Sequence, residues 1–138
     1  MITKLVQPRS NSDPEKPIIF IVDDDVSVRE SLGHLVQIAG WKPAVFASAE
    51  LFLENAATPG PCCLILDINM PELNGLELQR VMAAKGINMP TIFVSGYEEA
   101  RNTHAMNGGA VAFLTKPINS AELLETVSTA LASWEPSP

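Results

Sequence analysis

Four stretches of this chain are apolar almost without a break, and each ends on a polar, reactive side chain. Ile18–Val22 runs into Asp23-Asp24-Asp25, and Cys62–Leu66 runs into Asp67. Thr91–Val94 runs into Ser95, and Val111–Leu114 runs into Thr115-Lys116. Runs this short and continuous predict strands buried on both faces. Between them, apolar residues recur at helical spacing. Val28, Leu32, Leu35, Val36 and Ala39 predict a helix over Val26–Gly40, closed by Gly40. Pro43–Phe46 predicts a shorter strand, after which Ser48 caps a helix carrying Leu51, Phe52 and Leu53. Asn74 with Glu77, and Asn119 with Glu122, have capping-box spacing. The first opens a helix through Lys85, with Gly86 behind it. The second opens the last helix, lined by Leu123, Leu124, Val127, Leu131 and Trp134. One more helix is predicted near Glu98–Asn107, stopping at Gly108-Gly109 ahead of a strand at Ala110–Leu114.

Five strand–helix units in this order predict an α/β fold, a doubly wound five-stranded parallel sheet with helices on both faces. Such a sheet aligns the polar strand ends along one edge, where open parallel sheets place their ligands. Residues 1–16 are polar with two prolines and read as a flexible leader. The folded domain is expected over 17–134, with 135–138 a tail or the start of a linker.

Composition narrows the classes. The 138 residues suffice for one domain, and 46% hydrophobic against 18% charged residues is a globular balance, not a disordered one. The net charge of −7 argues against nucleic acid binding by this domain, which needs clustered Lys and Arg. No run approaches the ~18 apolar residues of a membrane span, and Met1–Val6 is too short for a signal peptide. A cytoplasmic protein is expected. Cys62 and Cys63, adjacent within an apolar run, read as buried reduced thiols. His34 and His104 read as surface or boundary residues, and Trp41 as packing on the sheet margin.

Asp67 is the centre of the chemistry. A lone Asp after a strand is most often a turn residue, but its context points elsewhere. Three successive carboxylates at Asp23-Asp24-Asp25 repel one another unless a cation offsets them. Asp25 has a plain alternative role, capping the helix that follows. An all-oxygen site favours Mg²⁺ or Mn²⁺. Asp24 and Asp67 would ligate directly, the backbone carbonyl of Asn69 would be a third ligand, and Asp23 would hold a metal-bound water. Lys116, followed by Pro117, would pair with Asp67 and then with an attached phosphoryl group. The Ser95 hydroxyl, ahead of Gly96, could donate to a phosphoryl oxygen.

Asp23-Asp24, Asp67 with Met70-Pro71 and Gly75, Ser95-Gly96, and Lys116-Pro117 together resemble the receiver domain of two-component response regulators. Ala47-Ser48-Ala49-Glu50 and Gly75-Leu76-Glu77-Leu78 resemble the branch that often precedes a helix-turn-helix output domain. The resemblance covers residues 17–133. It implies a flavodoxin-like fold with strand order 2-1-3-4-5, and Mg²⁺-dependent phosphorylation of Asp67 by a sensor histidine kinase or phosphotransfer protein. Lys116 and the metal would stabilise the charge on the transferred group. Ser95 and Phe113 would then switch the surface of the fourth helix, fifth strand and fifth helix. Asn69 and Tyr97 stand where the family tunes loss of the phosphoryl group. Arg29, Gly33 and Gln37 on the first helix become expected kinase contacts. A phosphorylation-dependent homodimer, a partner or output domain, or action as a stand-alone phosphoryl sink are the outputs it allows.

Two features qualify these expectations. The stretch from Ser95 to Lys116 is about one residue shorter than the family pattern, and Gly108-Gly109 is unusual there. An aspartyl-phosphate phosphohydrolase is the runner-up, but it needs an acid two residues after the nucleophile, where this chain has Asn69. A flavin or nucleotide module lacks its glycine-rich phosphate loop, since Asp23-Asp24-Asp25 follows the first strand.

Overall fold

The computed structural model describes residues 16–56, 60–68, 75–96 and 112–135. Its elements run β1 (Ile18–Val22), α1 (Val26–Ile38), β2 (Lys42–Phe46), α2 (Ala49–Asn55), β3 (Cys62–Asp67), α3 (Gly75–Ala84), β4 (Thr91–Ser95), β5 (Ala112–Thr115) and α4 (Ser120–Ala132). The five strands form one sheet in the order β2-β1-β3-β4-β5, and every pairing is parallel. The fold class and strand order are those expected. The helix predicted near Glu98–Asn107, all of the 1–16 leader but Lys16, and the Asn74 cap lie outside the described residues.

Alternation along the strands explains why the apolar runs are continuous. Phe20, Val22, Leu64, Leu66 and Phe93 point to one face, where Phe52 of α2 and Leu78 and Met82 of α3 cover them. Ile19, Ile21, Ile65, Ile92 and Val94 point to the other, under Leu32 and Val36 of α1 and Leu123, Val127 and Ala130 of α4. A strand with a core on each side leaves little room for a polar residue between its first and last positions. The edge strand β2 is only partly covered, and Val45 is exposed.

The helix starts follow local chemistry. Asp25 accepts from the backbone N–H groups of Ser27 and Val28, Ser48 from Leu51, and Asn119 from Glu122. Each satisfies a donor that the first helical turn leaves unpaired. Helix α1 ends at Ile38, two residues before the expected stop. Gly40 is the left-handed residue beyond it, at φ 96°.

Three strand ends differ from the reading above. Asp67, Ser95 and Thr115 are themselves the last residues of β3, β4 and β5. The ladder continues past them, with Ile68 N–H donating to Val94 and Lys116 N–H to Ser95. Sheet hydrogen bonds therefore fix the backbone under each of these side chains.

Trp134 lies past the end of α4. That helix covers the second core, yet Trp134 packs against the first. Its side chain shares a hydrogen bond with the Cys62 thiol, at the start of β3. Both cysteines are free and buried, as expected. Burial pushes the Cys62 thiol up to about 11 and the Cys63 thiol up to about 12, so neither is an effective nucleophile near neutral pH. Trp41 packs at the margin of the second core. His34 is exposed, and His104 lies outside the described residues.

Candidate functional site

Register alone assembles most of the site. Val22 of β1 lies opposite Leu66 of β3, so the next residues, Asp23 and Asp67, emerge side by side. Asp67 lies opposite Val94, and Ser95 opposite Thr115. Lys116 is then the first residue beyond β5. Carboxylate oxygens of Asp23, Asp24 and Asp67 lie within 4.8 Å of one another. Asp23 and Asp67 are buried, while Asp24 is exposed.

Lys116 reaches both buried carboxylates. Its Nζ lies 3.3 Å from Asp23 Oδ2 and 3.5 Å from Asp67 Oδ2. The sequence pointed only to the second of these pairs, because nothing in it shows that the ammonium can stand between two strand ends. The Lys116–Pro117 peptide bond is cis. Asp23 is also held by the Asp25 backbone N–H at 2.9 Å, and Arg29 Nη1 donates to its carbonyl oxygen at 2.8 Å. Arg29 therefore braces the turn after β1, a contact its sequence position gave no sign of.

The electrostatics are unbalanced in favour of negative charge. Burial holds the Asp23 carboxyl above its ordinary value, and the Asp67 charge adds to this. The Asp25 N–H and Lys116 pull it down without cancelling the rise. Burial acts the other way on Lys116, but Asp67 and Asp23 outweigh it and hold the ammonium above its usual 10.5. A cluster of hard oxygen donors in which one carboxylate resists ionisation suits a divalent cation. The three aspartates could hold Mg²⁺ or Mn²⁺.

A stability prediction follows from Asp23. Its folded pKa lies above the ordinary 3.8, so the folded state binds the proton more tightly than the unfolded chain. The associated stability is present at low pH and falls as pH rises through the folded value. In a chelator at neutral pH, Asp23→Asn should melt higher than the wild type and lose that fall. Added Mg²⁺ should then favour the wild type, which binds it better. Thermal melts from pH 4 to 7, with chelator or Mg²⁺, provide the check. A variant that melts no higher than the wild type in chelator at pH 7 would show that burial does not dominate at Asp23.

Ser95 is buried at the end of β4. Phe113 is buried too, its ring edge-to-face with Phe93 at 6.4 Å. It lies in the first core. Asn69 and Tyr97 lie outside the described residues. Two grooves flank α1. One is lined by Val28, Leu35, Ile38, Lys116, Pro117 and Ile118, and the other by Val26, Arg29, Gly33, Gln37, Pro43 and Val45. Val26 and Ile38 are exposed apolar residues in these grooves. Among the described residues, no helix is long and apolar enough to cross a membrane.

Comparison with known proteins identifies the family and the fold. Residues 19–128 match the family model described as the response regulator receiver domain. The response regulator protein TmoT of Ectopseudomonas mendocina is 40% identical over 124 residues, covering 89% of this chain and 56% of that protein. The transcriptional regulatory protein FixJ of Azorhizobium caulinodans is 34% identical over 119 residues, covering 86% and 56%. The crystal structure titled FixJ-N superposes with a TM-score of 0.81 at 31% identity, covering 89% of this chain and 99% of that one. The chain spans about half the length of the curated relatives it matches.

Proposed function

This chain belongs to the family of response regulator receiver domains, and on that premise we propose that it takes a phosphoryl group onto Asp67 from a histidine kinase or phosphotransfer protein. In the transfer, an Asp67 oxygen forms the new bond to phosphorus while the phosphorus–nitrogen bond of a phosphohistidine breaks. The electron pair stays with the imidazole. The observation that carries the reading is the position of Lys116 Nζ between the Asp23 and Asp67 carboxylates.

That ammonium can follow negative charge as it moves from the Asp67 carboxylate to the oxygens of the transferred group. Phosphoryl transfer asks mainly for such positioning and charge stabilisation. A bound Mg²⁺ would supply further charge stabilisation and offset the repulsion among the aspartates. Asp24 and Asp67 would hold it directly, with the Asn69 carbonyl, and Asp23 through water. Ser95 would donate its hydroxyl to a phosphoryl oxygen and so report the charge to β5, Phe113 and α4. Asn69 supplies no acid two residues after Asp67, which fits a switch that keeps its phosphoryl group for a time, and Tyr97 would screen the bond from water. The apolar grooves beside α1, with Arg29, Gly33 and Gln37, fit docking of a cytoplasmic kinase next to Asp67. The similarity to transcriptional regulators of twice the length supports an output domain as the partner of the switched surface, directly or through a phosphorylation-dependent homodimer.

Intact mass spectrometry after incubation with Mg²⁺ and a small phosphodonor tests the reading. The wild type should gain one phosphoryl group, and should not gain it in chelator. Asp67→Asn should gain none. An adduct that persists in Asp67→Asn would place the acceptor elsewhere, and no adduct on the wild type would refute the function.

A further inference from the structure

Thr115 lies directly across from Ser95 in the β4–β5 register. Two residues earlier on the same strands, Phe93 and Phe113 meet edge to face within the first core. Residues two apart on a strand share a face, so Ser95 and Thr115 stand on that face as neighbours. Paired strands run about 4.8 Å apart, close enough for two hydroxyls on adjacent β-carbons to share a hydrogen bond.

The Thr115 hydroxyl is shielded from solvent and has no hydrogen-bond partner among the described residues. No other buried side-chain oxygen or nitrogen among them is in that condition. A buried hydroxyl without a partner destabilises the fold, and a valine of the same shape would remove the penalty. The arrangement makes sense if a second state of the protein uses the hydroxyl.

We propose that Thr115 is a positioning residue for Ser95 in the phosphorylated state, an inference that rests on Asp67 as the acceptor. When the Ser95 O–H donates to a phosphoryl oxygen, its lone pairs are left to accept. Each hydroxyl has one proton to give, and the Thr115 O–H is the donor across the register. The chain then runs from Thr115 to Ser95 to the phosphoryl group, each bond polarising the next. The ends of β4 and β5 are already joined through the backbone, by Lys116 N–H donating to the Ser95 carbonyl at 2.8 Å. The hydroxyl pair adds a second link that forms only with the charge in place. Because Phe113 shares the face of Thr115, that link reaches the aromatic residue next along β5.

Beryllium fluoride with Mg²⁺, a reversible mimic of a phosphoryl group on a carboxylate, allows the link to be measured as an affinity by calorimetry. Thr115→Val should weaken binding about three- to ten-fold, the weight of one hydrogen bond. Thr115→Ser should restore wild-type affinity. On a Ser95→Ala background, Thr115→Val should have no further effect, whereas a merely structural role would weaken binding there too. Without the mimic, Thr115→Val should melt no lower than the wild type. Equal affinity of Thr115→Val and wild type, or additive losses in the double variant, would overturn the inference and leave the acceptor intact. A wild type that does not bind the mimic would overturn the acceptor reading and this inference together.

Discussion

Lys116→Met should slow formation of the Asp67 phosphoryl adduct by about 10²–10³-fold, equivalent to about 2.7–4 kcal/mol of transition-state stabilisation. Methionine keeps most of the apolar stem and removes the ammonium, with its charge and its hydrogen-bond donors. That charge lies 3.3 Å from one buried carboxylate and 3.5 Å from the other. It is present at any working pH, since its folded pKa lies above 10.5. Its contribution to stability is complete below 10.5 and is lost only as pH rises through the folded value. The variant should also melt lower in chelator, because two buried carboxylates lose their counter-charge, and recover in Mg²⁺. Initial rates of adduct formation by intact mass, with melts to confirm folding, give the comparison. A rate indistinguishable from the wild type would remove Lys116 from the transfer.

The largest stability effect is expected at Phe52. Phe52→Ala should cost about 3–5 kcal/mol in unfolding free energy. The ring is fully buried and meets Phe20 edge to face at 5.5 Å and Phe46 at 5.9 Å. It is the point at which α2 grips both β1 and the edge strand β2. Single domains are stable by only about 5–15 kcal/mol, so the loss is a large fraction of the whole. Urea unfolding measures it, and Phe52→Leu should retain much of the stability by keeping an apolar side chain in place. A loss below about 1.5 kcal/mol for the alanine variant would mean that the neighbouring rings close over the gap, beyond the relaxation usual for buried phenylalanine.

The strand–helix alternation was legible because the chain's periods are clean. Ser48, Asn119 and Asp25 announced their helices by chemistry that acts within three residues, and each caps as read. Asp23, Asp24, Asp67, Ser95 and Lys116 could be nominated because buried strands deliver polar groups to one edge. What the chain could not show depends on neighbours distant in sequence. The partnership of Lys116 with Asp23 spans the sheet from β5 to β1. The brace from Arg29 to the Asp23 carbonyl depends on how α1 leans against the strand before it. The extension of β3, β4 and β5 by one residue each depends on partners that continue the ladder. Thr115 carried no signal of its own, since a threonine at a strand end is ordinary until its register partner is known. The proposed tuning by Asn69 and Tyr97, and the helix expected near Glu98–Asn107, fall in segments outside the described residues.

Trp134 ties the carboxyl-terminal end of the described chain to the opposite end of the sheet from the aspartates. The indole is fastened beside Cys62, at the amino-terminal end of β3, while Asp67 lies at the carboxyl-terminal end of that strand. Five steps along the strand separate the two by about 17 Å. Trp134 therefore stands at the end of β3 opposite to Asp67. If Asp67 is phosphorylated as proposed, the phosphoryl group would not touch Trp134 directly, and any effect there would pass through the packed strand and α4.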